Sequence, residues 1–162
     1  MTERPLWAPW RIEYIIGPKD DQCIFCAAAS SPGDKQSHVV ARRRTCVMML
    51  NAFPYAPGHL MVAPVRHVAE LDGLDPEELA ELMCLTRDAV AALRRGMKPD
   101  GFNVGLNLGR TAGAGIADHL HMHVVPRWDG DVNFMPLLAG THVMPQALEA
   151  SRRVIVEALG EL

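Results

Sequence analysis

Three histidines alternate with apolar residues near the C-terminal third of the chain. The run reads His119-Leu120-His121-Met122-His123-Val124. Because successive side chains of an extended strand point to opposite faces, the three imidazoles are predicted to share one face and the apolar side chains the other. Neighbouring rings would lie roughly 6.6 Å apart, a spacing that suits holding a phosphate or a metal ion. A strand that is merely polar on one face is the plainer alternative, but Thr, Lys or Glu would serve there without a titrating ring.

The composition indicates one compact domain that binds a small molecule. The chain has 162 residues, 49% of them apolar, which is enough for a hydrophobic core. Its net charge of −3 argues against non-specific nucleic-acid binding, and the basic run 42–44 is interpreted as a solvated loop or edge strand. No apolar run approaches the about 18 residues of a membrane span, and the N-terminus lacks the layout of a secretory signal. We therefore expect a cytoplasmic protein with no membrane partner.

Five strands and two helices are predicted along the chain. The strands are expected at residues 38–41, 45–50, 59–64 and 102–108 and in the histidine run. Asp75 followed by Pro76 predicts the start of a helix, which Gly96 is expected to end. Its predicted apolar stripe comprises Leu79, Leu82, Met83, Leu85, Thr86, Val90 and Leu93. A second helix is expected from about Pro145 to Ala158, and a short helical turn within 27–33. These elements predict an α+β fold with an antiparallel sheet of about five strands and two helices.

The chain is predicted to have three parts. Residues 1–18 form an aromatic-rich extension, with Trp7 and Trp10, that packs over the body or across a partner subunit. Residues 19–140 form the main domain. Residues 141–162 form a C-terminal helix that packs on the same domain.

The histidine run can support nucleophilic catalysis. A neutral imidazole is a competent nucleophile near pH 7, so the middle ring of His121 could attack phosphorus and form a phosphoramidate intermediate. A protonated neighbouring histidine would bind the non-bridging oxygens. The turn Gly113-Ala114-Gly115 precedes the run, and its backbone amides could approach a phosphate, although such a sequence is more often only a turn.

Metal binding is the competing chemistry. Cys23 and Cys26 have the C-x-x-C spacing of half a zinc site, which two histidines from elsewhere would complete. Unliganded thiols and a redox pair are the alternatives; a redox pair should follow a strand, and residues 20–22 do not resemble one. A site made of the three histidines alone is disfavoured, because a strand points them in parallel rather than toward one centre.

The histidine run resembles the His-φ-His-φ-His-φ-φ signature of the histidine triad (HIT) superfamily of nucleotide hydrolases and transferases. The resemblance extends over residues 23 to 136 and includes Leu50-Asn51 and the segment from Pro57 to Pro64. It implies a homodimer with a HIT-like α+β fold that acts on the α-phosphate of nucleotides. By this resemblance His121 is the nucleophile, His119 and His123 orient it and the phosphate, and His59 supports the triad. Asn51 would hold the ribose hydroxyls, and Met49 would line the base pocket. In zinc-containing relatives the ligands correspond to Cys23, Cys26, His67 and His119.

Within the superfamily, the chain resembles a subgroup of diadenosine tetraphosphate phosphorylases. The likeness is carried by residues 7–11, 107–109, 112–118 and 126–136. Hydrolases of the fragile-triad branch have glutamine, and phosphorylases often Ser or Thr, where this chain has Gly115; the small residue leaves room for inorganic phosphate. Asn107 and the amides of Ala114 and Gly115 are the expected phosphate contacts. The implied activity is phosphorolysis of diadenosine tetraphosphate to ADP and ATP. Hydrolysis of a dinucleotide or a nucleoside phosphoramidate, and nucleotide sensing without turnover, are the alternatives.

Overall fold

A single antiparallel sheet of five strands organises the described part of the chain. The structure is a computed structural model and describes residues 23–31, 38–131 and 146–160; the N-terminal extension lies outside these ranges. The strands are β1 (Val39–Arg42), β2 (Cys46–Leu50), β3 (Leu60–Pro64), β4 (Gly101–Leu106) and β5 (Met122–Arg127). Their order across the sheet is β1-β2-β3-β5-β4, so the histidine strand β5 lies between β3 and the edge strand β4. The predicted five-stranded antiparallel sheet is confirmed.

Three α-helices accompany the sheet, where two were predicted. They are α1 (Ile24–Ser30), α2 (Pro76–Met97) and α3 (Leu148–Gly160), and two short 3₁₀ helices lie at Leu71–Gly73 and Arg110–Ala112. Helix α1 starts earlier than the expected turn. Its N-cap, Cys23, makes no side-chain capping hydrogen bond, so the usual polar signal for a helix start is missing from the sequence. Among the described residues, none of the helices combines the length and apolar character needed to cross a bilayer.

The two faces of the sheet carry separate hydrophobic clusters. The larger cluster joins one face to α2 and α3, and it includes Leu120, Met122 and Val124 from the histidine run. The smaller cluster joins the other face to α1. Its members are Phe25, Ala28, Val39, Val47, Met49, Met61 and Ala63. The predicted separation of histidines and apolar residues onto opposite faces is therefore confirmed, and the histidines face α1.

Helix α2 begins as predicted and ends differently. Asp75 and Glu78 form a reciprocal capping box, with Pro76 in the first turn. The helix continues past Gly96 to Met97, and its left-handed cap is Lys98 at φ 50°. A Cβ on Gly96 would lie 2.6 Å from Val154 Cγ1, so the glycine allows α3 to approach α2. The expected helix end at Gly96 is thus wrong, because this glycine serves helix packing.

Part of the predicted helical stripe is solvent-exposed. On α2, the side chains of Leu82, Leu85, Thr86 and Leu93 are buried. Leu79 and Met83, however, retain 43% and 52% of their exposure. The sequence predicted both as core residues, and the single chain leaves them uncovered.

The regular part of the histidine strand begins at Met122, later than predicted. Strand β4 ends at Leu106 opposite Met122, so His119 and His121 lack a partner on that side. The backbone N–H of Leu120 instead donates to the Val68 carbonyl at 2.7 Å. The first two histidines therefore lie outside the ladder, where main-chain groups remain available to their side chains.

Candidate active site and metal centre

Four histidines converge on the α1 side of the sheet. His119 and His59 are fully buried and His121 is 6% exposed, while His123 is half-buried. The ring centroids of His121 and His123 lie 4.8 Å apart, closer than the about 6.6 Å expected from two residues of a regular strand. His59 reaches the group from the residue before β3, and its ring lies 5.1 Å from that of His123.

Main-chain atoms determine which nitrogen of His119 and His121 carries the proton. His121 Nδ1 lies 2.8 Å from the His119 carbonyl oxygen, and His119 Nε2 lies 2.9 Å from the Pro64 carbonyl oxygen. A carbonyl oxygen only accepts hydrogen bonds, so both ring nitrogens must be N–H donors. The opposite nitrogens, Nε2 of His121 and Nδ1 of His119, consequently carry lone pairs.

A second series of hydrogen bonds determines the proton positions on the rings of His59 and His123. The backbone N–H of Tyr55 donates to His59 Nδ1 at 3.2 Å, and the Asn51 side-chain nitrogen lies 3.3 Å from the same atom. His59 must then carry its proton on Nε2, which lies 2.9 Å from His123 Nδ1. This bond makes His123 Nδ1 the acceptor and leaves an N–H donor at His123 Nε2.

All four histidines are neutral at pH 7. Burial, followed by the charges of His123 and His121, lowers the pKa of His59 to about 3. Burial, followed by the charge of His121, lowers the pKa of His123 to about 4. Burial also lowers the pKa values of His119 and His121, although hydrogen bonds to carbonyl oxygens oppose the shift. In this structure the rings beside His121 are therefore uncharged, and the expected protonation of a neighbouring histidine on phosphate binding stays a prediction.

Two cysteines and two histidines form a compact cluster beside the triad. Their four ligand atoms, from Cys23, Cys26, His67 and His119, all lie within 4.8 Å of one another. Cys23 Sγ is 3.2 Å from His119 Nδ1, and Cys26 Sγ is 3.3 Å from His67 Nδ1. The two Nδ1 atoms are 3.2 Å apart. These are the four residues that the family resemblance implied.

The cluster meets the requirements of a tetrahedral metal ion. Bonds of about 2.0 to 2.3 Å to nitrogen and sulfur separate tetrahedral ligand atoms by roughly 3.3 to 3.8 Å, close to the distances here. The lone pair of His119 points into the cluster because its other nitrogen donates to Pro64, as in the outer shell of known metal sites. The four residues can therefore hold a metal ion, and His119 belongs to both the triad and this cluster.

The residues expected to contact the substrate lie on several elements around the histidines rather than in one cluster. Asn51 lies against His59, and its Oδ1 accepts from the Phe53 backbone N–H at 2.9 Å. Met49 is buried in the smaller cluster, on the face that carries the histidines. Asn107 directly follows Leu106, the partner of Met122, so it ends β4 beside the histidine run.

The glycine-rich turn is mostly exposed. The Ala114 backbone N–H donates to the Gly109 carbonyl at 3.4 Å, a long bond, and Gly115 has open space around its Cα. Among the described residues, no hydrogen bond joins either residue to the histidines.

Two aromatic residues beside the histidines were not identified from the sequence. Phe25 is fully buried, with its ring 5.1 Å from that of His119 and 4.8 Å from that of His121. Tyr55 stacks on His59 at 4.9 Å while remaining 67% exposed. The only signals in the sequence were the place of Phe25 inside the C-x-x-C pair and of Tyr55 in the loop before His59.

Comparisons with known proteins agree with this architecture. A family model described as the HIT domain matches residues 33–130. An AP-4-A phosphorylase from Mycobacterium tuberculosis is 44% identical over 158 residues, which cover 93% of this chain and 81% of that protein. The structure of a Zn-bound histidine triad family protein from Mycobacterium smegmatis is similar with a TM-score of 0.69 at 29% identity, covering 86% of this chain and 94% of the other. A hypothetical histidine triad nucleotide-binding protein from Sulfolobus tokodaii is similar with a TM-score of 0.69 at 26% identity, covering 86% and 93%. The chain belongs to the HIT, or histidine triad, family.

Proposed function

We propose that this protein is a nucleotide-processing enzyme that cleaves diadenosine tetraphosphate by phosphorolysis to ADP and ATP, with His121 as the nucleophile. The observation that carries the proposal is the hydrogen bond between His121 Nδ1 and the His119 carbonyl at 2.8 Å. It places the lone pair on Nε2, which has no hydrogen-bond partner among the described residues. The lowered pKa of His121 keeps that lone pair unprotonated at pH 7.

In the first step, His121 Nε2 attacks the α-phosphorus and ATP departs. A P–N bond forms and the bond from the α-phosphorus to the bridging oxygen breaks. Nδ1 keeps its proton and donates it in a hydrogen bond to the His119 carbonyl oxygen, which stabilises the positive charge that develops on the ring. ATP leaves as an anion, because a terminal phosphate has its second pKa near 6 and needs no full protonation.

His123 assists the departure by donating a hydrogen bond from Nε2. Its Nδ1 accepts from His59 Nε2 at 2.9 Å, so the proton is held on the nitrogen that faces away from His59. A preorganised N–H aimed at developing charge strengthens as the leaving oxygen becomes anionic. In the second step, inorganic phosphate attacks the adenylyl group on His121 and yields ADP, and the P–N bond breaks.

Phosphate and nucleotide contacts come from neighbouring elements. Asn107 lies at the end of β4 beside the histidine run, and Gly115 leaves open space where a second phosphate can enter. We assign Asn107 and the amides of Ala114 and Gly115 to phosphate, Asn51 to the ribose, and Met49 to the wall of the base pocket. The 44% identity to an AP-4-A phosphorylase supports diadenosine tetraphosphate as the substrate.

We further propose that Cys23, Cys26, His67 and His119 hold a structural zinc ion. When bound, zinc would fix the first triad histidine by ligating its Nδ1 and would supply no group to the reaction. The thiolate and imidazole donors match the preference of zinc, and the solved relative from Mycobacterium smegmatis is described as Zn-bound.

The active form is proposed to be a homodimer. Leu79, Met83 and Val104 retain 43%, 52% and 46% exposure in the single chain. Val104 lies on β4, an edge strand whose outer side has no partner among the described strands. A second copy of the chain would cover these apolar side chains and the strand edge.

The test is an incubation of the protein with diadenosine tetraphosphate and radiolabelled inorganic phosphate. Label in ADP, together with unlabelled ATP, supports phosphorolysis. AMP and ATP without incorporation of label would instead assign hydrolysis. Tight binding with no product over hours, with or without phosphate, would assign a nucleotide sensor.

A further inference from the structure

Phe25 lies beside both the cysteine–histidine cluster and the proposed nucleophile His121. In the sequence it stands between Cys23 and Cys26. In space its ring lies against two imidazoles: that of His119, at 5.1 Å and a 46° interplanar angle, and that of His121, at 4.8 Å and 32°. It is fully buried, so its ring contacts these histidines rather than solvent.

His121 depends on its neighbours for orientation. Among the described residues, a single hydrogen bond, from Nδ1 to the His119 carbonyl, holds its ring, and small rotations about the side-chain bonds would leave that hydrogen bond intact. Phe25 lies beside the ring at 4.8 Å, and His123 approaches it edge-on at 4.8 Å and 72°. The two neighbouring rings therefore restrict the motion that the hydrogen bond permits.

The placement of Phe25 depends in turn on the two cysteines. Helix α1 has only seven residues, and its N-cap Cys23 makes no side-chain capping hydrogen bond. Helices shorter than about 12 residues are marginal without tertiary support. Ligation of both cysteines would fix the first turn of α1 to His67 and His119, with Phe25 held inside that turn.

We infer that Phe25 is a positioning residue that couples metal occupancy at the cysteine pair to the orientation of the His121 ring. The inference rests on the proposed role of His121 as nucleophile. It assigns the metal a second effect besides stability, because release of the metal would loosen α1, withdraw the Phe25 ring and free the nucleophile to rotate.

The first test uses zinc-loaded F25L, which keeps an apolar side chain but lacks the aromatic face. We expect full zinc content and cooperative unfolding, with kcat lowered about tenfold or more and KM changed less than about twofold. Nitrogen-15 NMR of the histidine rings is expected to show one Nδ1–H tautomer of His121 in the wild type and a tautomer mixture in F25L. If F25L folds poorly, F25M replaces it in this test, because methionine is flexible and fills irregular space.

The matched control is V39A. Val39 belongs to the same cluster as Phe25 but lies on β1, the edge strand opposite the histidine strand. It should lower stability while leaving kcat and the His121 tautomer unchanged. Wild-type kcat and a single tautomer in both Phe25 variants would overturn the inference, and so would a rise in KM with kcat unchanged, which would identify a substrate contact.

The second test removes zinc from the wild type with a chelator and follows the same His121 nitrogen signals. We expect the signals to move toward the tautomer mixture on chelation and to return when zinc is restored. Signals that stay unchanged would overturn the inference, and if the metal-free chain unfolds, the zinc-loaded variants decide the question. Near-normal turnover by H121N would instead contradict the proposed function. The NMR result on the His121 ring would be unaffected by that outcome.

Discussion

His59 Nε2 lies 2.9 Å from His123 Nδ1, and both rings are uncharged at neutral pH. Neither ring can accept a proton in the folded state without losing this hydrogen bond or placing a charge in a buried site. The His59–His123 hydrogen bond therefore stabilises the folded state only while both rings are uncharged.

The pair should make the protein sensitive to acid. Its folded pKa values, about 3 for His59 and about 4 for His123, lie below the unfolded value of 6.5. The unfolded chain thus binds more protons, so the stability present above pH 6.5 is lost as the pH falls toward these values. Each ring can contribute up to about 1.4 kcal/mol per pH unit in that window. Urea unfolding between pH 7 and 5 should show a smaller decline for H59F than for the wild type, and equal slopes would contradict the prediction.

Replacing the proposed nucleophile, His121, should abolish turnover and leave the fold intact. We expect H121N to lower kcat by about four orders of magnitude while unfolding cooperatively and keeping its zinc. His38, which has φ 56° just before β1 and lies outside the site, provides the control H38N, because asparagine tolerates left-handed backbone. A radiolabelled adenylyl adduct that is acid-labile should form on the wild type and on H38N but not on H121N.

Removing one thiol should release the metal. C23S and C26S are each expected to lose stoichiometric zinc and several kcal/mol of unfolding free energy. C84S is the control, because Cys84 is exposed on α2. Metal analysis of protein purified without chelators, combined with thermal unfolding, makes the comparison. Retained zinc in both cysteine variants would remove the cluster as the binding site.

Gly58 should tolerate no side chain. It adopts φ +76°, and a Cβ there would lie 2.5 Å from Met97 Sδ. We expect G58A to cost about 1 to 2 kcal/mol, mainly from backbone strain at its positive φ, and to shift the adjacent His59. G101A should change the unfolding free energy by less than about 0.5 kcal/mol, since nothing lies within 4 Å of its added Cβ. Chemical denaturation of the two variants side by side tests the contrast.

A charge on the exposed side of α2 should separate the proposed dimer. Met83 is 52% exposed in the single chain, and M83E would bury a carboxylate in the subunit interface. Light scattering is expected to give a dimer for the wild type and for M83L, and a monomer for M83E. A wild type that is monomeric at all accessible concentrations would rule out the homodimer.

Structural features that depend on neighbouring residues in the sequence were predictable. The alternation of the histidine run determines its two faces, and the Asp75-Pro76 pair marks the start of α2, so both were predicted correctly. Gly96 was misinterpreted because its packing against Val154 depends on a helix more than 50 residues away. The early start of α1 was missed because no polar cap announces it.

The candidate site was predictable only in part. Cys23 and His119 are 96 residues apart, so no spacing rule joins them, and their association came from the family resemblance. The neutral state of the histidines depends on burial, which alternation alone does not provide. The contact of Phe25 with two imidazoles likewise depends on how α1 packs on the sheet.

The groups that select the proton positions in this site are mainly backbone atoms: the carbonyls of His119 and Pro64 and the amide N–H of Tyr55. Peptide groups persist whichever side chain a mutation installs. The positions of the ring protons are thus set by the course of the backbone, so side chains around the histidines can change without altering which ring nitrogen carries a lone pair.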